Sequence, residues 1–316
     1  MTVSRVINDY PHVTPAVRER VRQAIAQLRY RPNTMAQALA TNRSMRIGVV
    51  TFALSVTSPS RALFGVSEEA RAYGYATDLV TLDDVTVSSL QTALRHLATD
   101  AVDGAVLLAP MVAAPRTLQV AQAPMPVVSF EQGATGAADA VALDEEFAAQ
   151  LATRHLLDLG HETVHFIRGP DGWMATEARE TGWRRELALA GRHPPEPAHC
   201  PDWGVESGYR ASKKLLERGD VTAILVSNDA MCLGVYTAVF EAGLTVPDDV
   251  SVVGFDNVPE AAYYRPPLTT VELDFTAAGR AALRRLLRLI GVDAPGPVDG
   301  PTPSLVVRAS TAPPRR

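Results

Sequence analysis

Residues 223–229 read AILVSND, and residues 251–257 read SVVGFDN. Each is an unbroken apolar run that ends abruptly in polar groups. An alternating run would mark a strand with one face in water. A continuous Val/Ile run marks a strand covered on both faces, the habit of parallel sheets in α/β proteins. Working outward, eight more short Val/Ile-rich runs read as strands: IGVVTF (47–52), ATDLVTL (76–82), GAVLLA (104–109), VVSFE (127–131), DAVALD (139–144), VHFIRG (164–169), TTVELD (269–274) and SLVVRA (304–309). Helical stretches lie between most of them. In EEFAAQLATRHLLDLG, Phe147, Leu151, His155 or Leu156, and Leu159 form one stripe, and Gly160 supplies the stop. Ten strands are many for one such sheet, so the pattern predicts two α/β lobes.

In open parallel sheets, ligands bind beyond the carboxyl ends of the strands. Four runs deliver chemistry there: Phe52, Glu131, Asn228 and Asp256. Arg179 lies near the start of the helix after the RGPDGWMAT loop, and Trp203 lies in a loop before the next helix. Carboxylate, amide, guanidinium and aromatic rings together suit a polyhydroxylated ring, whose hydroxyls hydrogen-bond while its apolar face stacks. Singly, Asn228 or Asp229 reads as a cap for a helix starting at Ala230, and Asp256 as a turn residue. Together, at four strand ends, they read as a pocket.

The first 46 residues differ. They show no strand pattern and hold eight Arg against Asp9 and Glu19, a net charge of +6, whereas the whole chain carries −5. A basic head on an acidic body predicts that the head meets a polyanion; a merely solvated basic helix is the alternative. Thr14-Pro15 reads as an N-cap followed by Pro at N1. Val17, Val21, Ala24, Ile25 and Leu28 then share one helical face, with Arg18, Arg20, Arg22 and Arg29 off or beside it. Arg31-Pro32-Asn33 ends that helix, and a second short helix fits Thr34 to Thr41.

Several classes are disfavoured. Cys200 and Cys232 form no C-x-x-C pair or ligand cluster, which fits a reduced cytoplasmic setting. No apolar run after the N-terminus suggests a signal peptide, and GAVLLAPMVAAP (104–115) is too short for a bilayer. His161-Glu-Thr-Val-His165 matches the zinc-protease string H-E-x-x-H, but that chemistry needs both imidazoles on one helix face. Here the string follows Gly160 and runs into a strand, where the two Cα atoms would stand ~13 Å apart. No metal or cofactor is expected. No G-x-S-x-G, P-loop or G-x-G-x-x-G is present, and Asp83-Asp84 and Asp248-Asp249 read as loop carboxylates or caps. The chain is not expected to be an enzyme. The alternatives are a cytoplasmic sugar-binding protein without DNA activity, or a sugar-acting enzyme.

Taken in order, TVSRVIN (2–8), VRERVRQAIAQLRYRPN (17–33), AQALAT (36–41), IGVV (47–50), LGHETVHFIRGP (159–170), RETGW (179–183), SND (227–229), SVVGFDN and PPLTTV (266–271) resemble the LacI/GalR family of bacterial transcriptional regulators. The resemblance spans nearly the whole chain. It implies a partial helical DNA-binding headpiece and hinge over 1–46. A two-lobed periplasmic-binding-protein-like core, two parallel sheets flanked by helices, would then cover 47–316. The N-lobe would take about 47–143 plus 275–301, and the C-lobe about 144–274 plus 302–312.

The resemblance also assigns roles. Met1 to Asn8 would be the recognition helix of a helix-turn-helix, with Met1, Thr2, Ser4, Arg5 and Asn8 at the DNA. Its supporting helix is missing. Either the start codon is assigned too late or the regulator is truncated; the first is the reading preferred here, and the upstream frame is expected to encode one further helix. Asn33 and the hinge segment would also meet DNA, with Leu39 as the apolar wedge in the minor groove. Arg179, Asn228 and Asp256 match effector-binding positions, Phe52 and Trp203 match positions that often line the pocket, and Glu131 is the least secured. Leu273 departs from a family position that is often polar, which leaves the sugar's identity open. The expected protein is a repressor that works as a homodimer on a pseudo-palindromic operator, under control of a small sugar-like effector. No heptad of leucines follows the last strand, so a coiled-coil tetramer is not expected.

Overall fold

The computed structural model describes residue 6 and residues 12–28, 43–132 and 139–315. The chain divides into two compact units, Met1–Met45 and Arg46–Arg316.

In the first unit, helix α1 spans Pro15–Gln27. Thr14 takes the N-cap position with extended backbone and Pro15 sits at N1, as the sequence predicts, but the Thr14 hydroxyl makes no capping bond. Of the expected apolar face, Val21 and Ile25 are half-buried, while Val17, Ala24 and Leu28 are exposed. The expected hinge helix and all seven proposed DNA contacts (Met1, Thr2, Ser4, Arg5, Asn8, Asn33 and Leu39) lie outside the described residues.

The second unit carries the two expected sheets. The first contains β1 (Arg46–Phe52), β2 (Ala76–Leu82), β3 (Gly104–Leu108), β4 (Val127–Gln132) and β5 (Ala140–Leu143) in the order β2-β1-β3-β4-β5, all parallel. The second contains β6 (His165–Arg168), β7 (Ala198–His199), β8 (Ala223–Val226), β9 (Ser251–Phe255), β10 (Thr269–Glu272) and β11 (Ser304–Val306) in the order β11-β10-β9-β8-β6-β7. All ten runs expected as strands form strands. Two features depart from the expectation. The short strand β7 has no apolar run to announce it, and β11 pairs antiparallel to β10, so the second sheet is not wholly parallel.

The helices cover both faces. They are α2 (Thr57–Ala72), α3 (Val87–Thr99), α4 (Ala114–Ala121), α5 (Glu145–Asp158), α6 (Met174–Leu189), α7 (Val205–Leu216), α8 (Asp229–Glu241) and α9 (Phe275–Leu289). Several starts are fixed by side-chain caps: Thr86 and Ser89 form a reciprocal capping box, and Asp144, Asn228 and Asp274 accept from Phe147, Met231 and Ala277 backbone N–H groups.

The chain crosses between the sheets three times. After β5 it enters the second sheet; after β10 it returns as α9 to pack on α2 and on β3, β4 and β5; then it goes back to supply β11. The α2–α9 contact is unusually close. A Cβ on Gly65 would collide with the Thr276 carbonyl, and one on Gly279 with the Ala62 carbonyl, so each helix offers its glycine to the other's backbone. Arg284 clamps Glu69 through two bonds, at 2.6 and 3.0 Å, at the rim of this contact. Among the largest buried side chains, Phe166 and Trp183 stack 5.4 Å apart, and Trp183 Nε1 donates to the Val164 carbonyl at 2.9 Å. Burying such rings stabilises the fold by about 1.5–3 kcal/mol each. Leu273, just past β10, is fully inside this core.

Candidate functional site

The carboxyl ends of β1, β6, β8 and β9 lead directly into the residues of one cleft. Its cavity of about 590 Å³ is lined by Trp173, Asp202, Trp203, Glu206, Asn228 and segment 55–57, among others. A narrower recess shares Val56, Trp173, Trp203 and Asn228 and adds Arg179 and Asp256. Arg179, Trp203, Asn228 and Asp256, separated by up to 77 positions in sequence, are thus brought together as expected.

Arg179 organises the recess. It is 2% exposed. Its Nε donates to Glu145 Oε2 at 2.8 Å, an Nη donates to the Ser227 carbonyl, and Nη2 lies 3.6 Å from Asp256 Oδ1. The guanidinium also sits 4.4 Å from the Phe255 ring centroid and 6.0 Å from that of Trp203. Burial works against its charge, but the Glu145 and Asp256 carboxylates outweigh that and raise its pKa further.

Asp256 is the counterpart. Burial pushes its pKa from 3.8 up to about 8; Arg179 opposes the rise, and the Asp229 and Glu145 charges add to it. Its backbone has φ +100°, and Asn257 follows at +48°. Non-glycine residues held there carry local strain, which is characteristic of ligand sites. The loop is pinned from behind. Fully buried Asp229 accepts from Val258 N at 2.9 Å and from Thr270 Oγ1 at 2.6 Å, and burial lifts its pKa to about 7.

Asn228 does both things the sequence left open. Its Oδ1 caps α8 by accepting from Met231 N at 2.7 Å, while its Nδ2 donates to the Trp203 carbonyl at 3.2 Å on the cleft wall. The helix therefore begins at Asp229, one residue before the expected start.

The aromatic wall contains Trp173 and Trp203, with ring centroids 5.5 Å apart and planes at 86°. Phe52 does not line the cavity itself; its ring backs Trp173 at 6.0 Å. Trp203 lies against the backbone of Gly169, where an added Cβ would stand 2.5 Å from the indole. Glu131 is not among the lining residues. It is buried on β4 and accepts from Ser129 Oγ at 2.9 Å.

Sequence reasoning missed Trp173, Glu145, Asp202 and Glu206. Trp173 follows β6 by the same strand-end rule and could have been found by it. Glu145 gave no such signal, because it belongs to a helix start after β5 and reaches the recess only through the packing of α5 on α6.

The H-E-x-x-H string lies elsewhere. His161 is buried, its Nδ1 bonded to Thr222 Oγ1 at 3.0 Å and its Nε2 to Ser251 Oγ at 3.1 Å and the Ala312 carbonyl at 3.0 Å. His165 opens β6 and is buried. Turn followed by strand, as the sequence predicts, keeps the two rings in different surroundings.

Comparison with known proteins agrees with this fold. Residues 153–311 match the periplasmic binding protein-like domain family, and residues 1–33 match bacterial regulatory proteins of the lacI family. The lactose operon repressor of Escherichia coli (strain K12) is 32% identical over 290 residues, covering 91% of this chain and 80% of the repressor. A crystal structure of the Lac repressor bound to ONPG in the repressed state superposes with a TM-score of 0.88 at 32% identity, over 98% of this chain and 95% of that one. A Lac repressor dimer bound to operator and the anti-inducer ONPF gives 0.86 at 32% identity, over 98% and 94%. With its headpiece segment, its two-sheet core and these full-length relatives, the chain belongs to the lacI family of bacterial regulatory proteins.

Proposed function

We propose that this chain is a transcriptional repressor that binds operator DNA as a homodimer and is controlled by a sugar-like effector in the cleft. The observation that carries the effector reading is the convergence of Arg179, Asn228 and Asp256 beside the Trp173–Trp203 corner at the ends of β6, β8 and β9. Hydroxyl groups find donors and acceptors there, and an apolar ring face finds an indole. The DNA contacts are assigned to Met1, Thr2, Ser4, Arg5, Asn8, Asn33 and Leu39, in keeping with the family and with the +6 charge of residues 1–46.

The two sheets are read as lobes, about 47–143 plus 275–301 and about 144–274 plus 302–312. Effector that binds one arrangement of the lobes better than another shifts the population, and operator affinity shifts with it by the same coupling energy. No helix among the described residues is long and apolar enough to cross a membrane. A cytoplasmic regulator without enzymatic turnover is the reading that fits.

Pairing of two copies is assigned to the outer side of α8. Leu233, Phe240 and Tyr263 are exposed, Phe240 by 80%, beside a groove of about 430 Å³ lined by Leu233, Phe240 and Tyr264. An isologous contact across this patch would cover it in both copies at once.

The test is a thermal-shift screen of neutral sugars, followed by operator binding with and without each hit. A hit raises the melting temperature by mass action and changes operator affinity. Operator binding indifferent to every stabilising sugar overturns the reading.

A further inference from the structure

Asp229, the first residue of α8, is bonded in two directions. Its buried carboxylate accepts from Val258 N at 2.9 Å and from Thr270 Oγ1 at 2.6 Å. These bonds fix the segment that begins with Asp256, a residue of the recess. Its main-chain carbonyl accepts from the Tyr264 hydroxyl at 3.0 Å. Tyr264 lines the groove assigned to pairing, together with Leu233, Tyr236 and Phe240. One residue thus holds a recess segment with its side chain and a groove side chain with its backbone.

The link between the two sites is short and stiff. Asp256 and Tyr264 stand eight positions apart on the connection from β9 to β10, and most of that length is a single 3-10 turn, Pro259–Tyr263. Ala261 in that turn is fully buried, and its carbonyl accepts from Leu268 N at 2.9 Å. Asp229 has little room to yield: a Cβ on Gly254 would collide with its carboxylate. At the groove end, Tyr236 packs edge-on against Tyr264 with centroids 5.7 Å apart, and its hydroxyl donates to the Pro266 carbonyl at 3.0 Å. At the cleft end, the neighbour Asn228 holds the Trp203 carbonyl at 3.2 Å. A displacement of Tyr264 is passed along such a close-packed, hydrogen-bonded chain rather than absorbed by it.

We propose that Asp229 is a positioning residue that couples the pairing groove to the effector recess. Two copies closing over Tyr264 reset the Asp256 segment and the Trp203 wall. By reciprocity, occupation of the recess changes how tightly two copies pair. This rests on the effector and pairing readings above and joins two sites that those readings treat separately.

The experiment needs no effector. The full chain is diluted from micromolar to nanomolar concentration, with association followed by sedimentation and the cleft by tryptophan emission. Phe240→Lys serves as the unpaired reference. The chain has three tryptophans: Trp173 and Trp203 form the cleft corner, Trp183 is buried in the core, and none lines the groove. A change of emission on pairing therefore reports transmission through the protein. The expected result is an emission step that separates paired wild type from Phe240→Lys. In Tyr264→Phe, which keeps the ring and loses the bond to Asp229, that step should shrink at least about threefold, the scale of coupling through one shared contact. Thr270→Val loosens Asp229 from the side away from the groove. It should shrink the step equally while the association constant stays that of wild type, which a merely structural role in the groove would not produce. Identical emission in paired and unpaired protein overturns the coupling while leaving both sites as assigned. A full-sized step in both variants overturns the role of Asp229. A wild type that is monomeric throughout overturns the pairing reading, and this inference with it, and leaves the effector reading standing.

Discussion

Glu145 accepts from the Arg179 Nε at 2.8 Å, with both side chains at most 3% exposed, so the first residue of α5 holds the guanidinium that lines the recess. Desolvating two ions is costly, and the pair is retained only while both members are present.

Removing one partner should therefore destabilise the protein. Glu145→Gln is expected to cost about 3–5 kcal/mol, because it leaves a buried charge short of its counter-ion. Urea unfolding of the two proteins measures this. An unchanged midpoint would show that Arg179 does not depend on Glu145 for its stability.

A pH dependence follows from Asp256. Its folded pKa of about 8 lies above its ordinary 3.8. Between those values the folded protein keeps a proton that the unfolded chain has lost. Stability therefore falls as pH rises from about 4 to about 8 and levels off above. Asp229, lifted to about 7, acts in the same direction. Chemical unfolding at a series of pH values should show this slope, flatter in Asp256→Asn. The same variant should lose the ligand-dependent rise in melting temperature while remaining folded.

Gly169→Ala tests the aromatic corner without replacing a polar side chain. The new methyl would press on Trp203 and also approach Thr176 Oγ1, at 2.9 Å. Overpacking of this kind costs about 1–3 kcal/mol. The expected outcome is a folded protein with shifted tryptophan emission and effector affinity lowered about tenfold or more, read by fluorescence titration.

Phe240→Lys addresses assembly. The wild type is expected to sediment as a dimer at micromolar concentration and the variant as a monomer, with operator affinity falling alongside. A stable tetramer of the wild type, or an unchanged dimer in the variant, would contradict the patch assigned to pairing.

Much of this architecture is legible from the strands. Val/Ile-rich runs located ten of them, most because burial on both faces leaves a composition that no loop shares, although the edge strands β2 and β11 are only partly buried. The strand-end rule then placed Asn228 and Asp256 correctly. It placed Glu131 by the same logic, although that side chain turns to Ser129 on its own strand and is not on the cleft wall. Contacts made by packing stayed hidden: β7 is two residues long, and Glu145 meets Arg179 only because α5 lies against α6. Residues on different elements, brought together by tertiary packing, leave no periodic trace in sequence.

The return of α9 to the first sheet has a consequence for synthesis. Glu69 and Arg284 are 215 residues apart, yet they join the helix pair that covers this sheet. As the chain leaves the ribosome, β1 through β5 emerge early, but the α2 face and the flank of β3 to β5 stay bare until α9 follows. Contacts of such long separation are slow to form, and exposed apolar surface invites association in the meantime. The sheet begun first is completed among the last, so a nascent chain arrested before residue 275 should be a client for chaperones rather than a half-finished, self-sufficient domain.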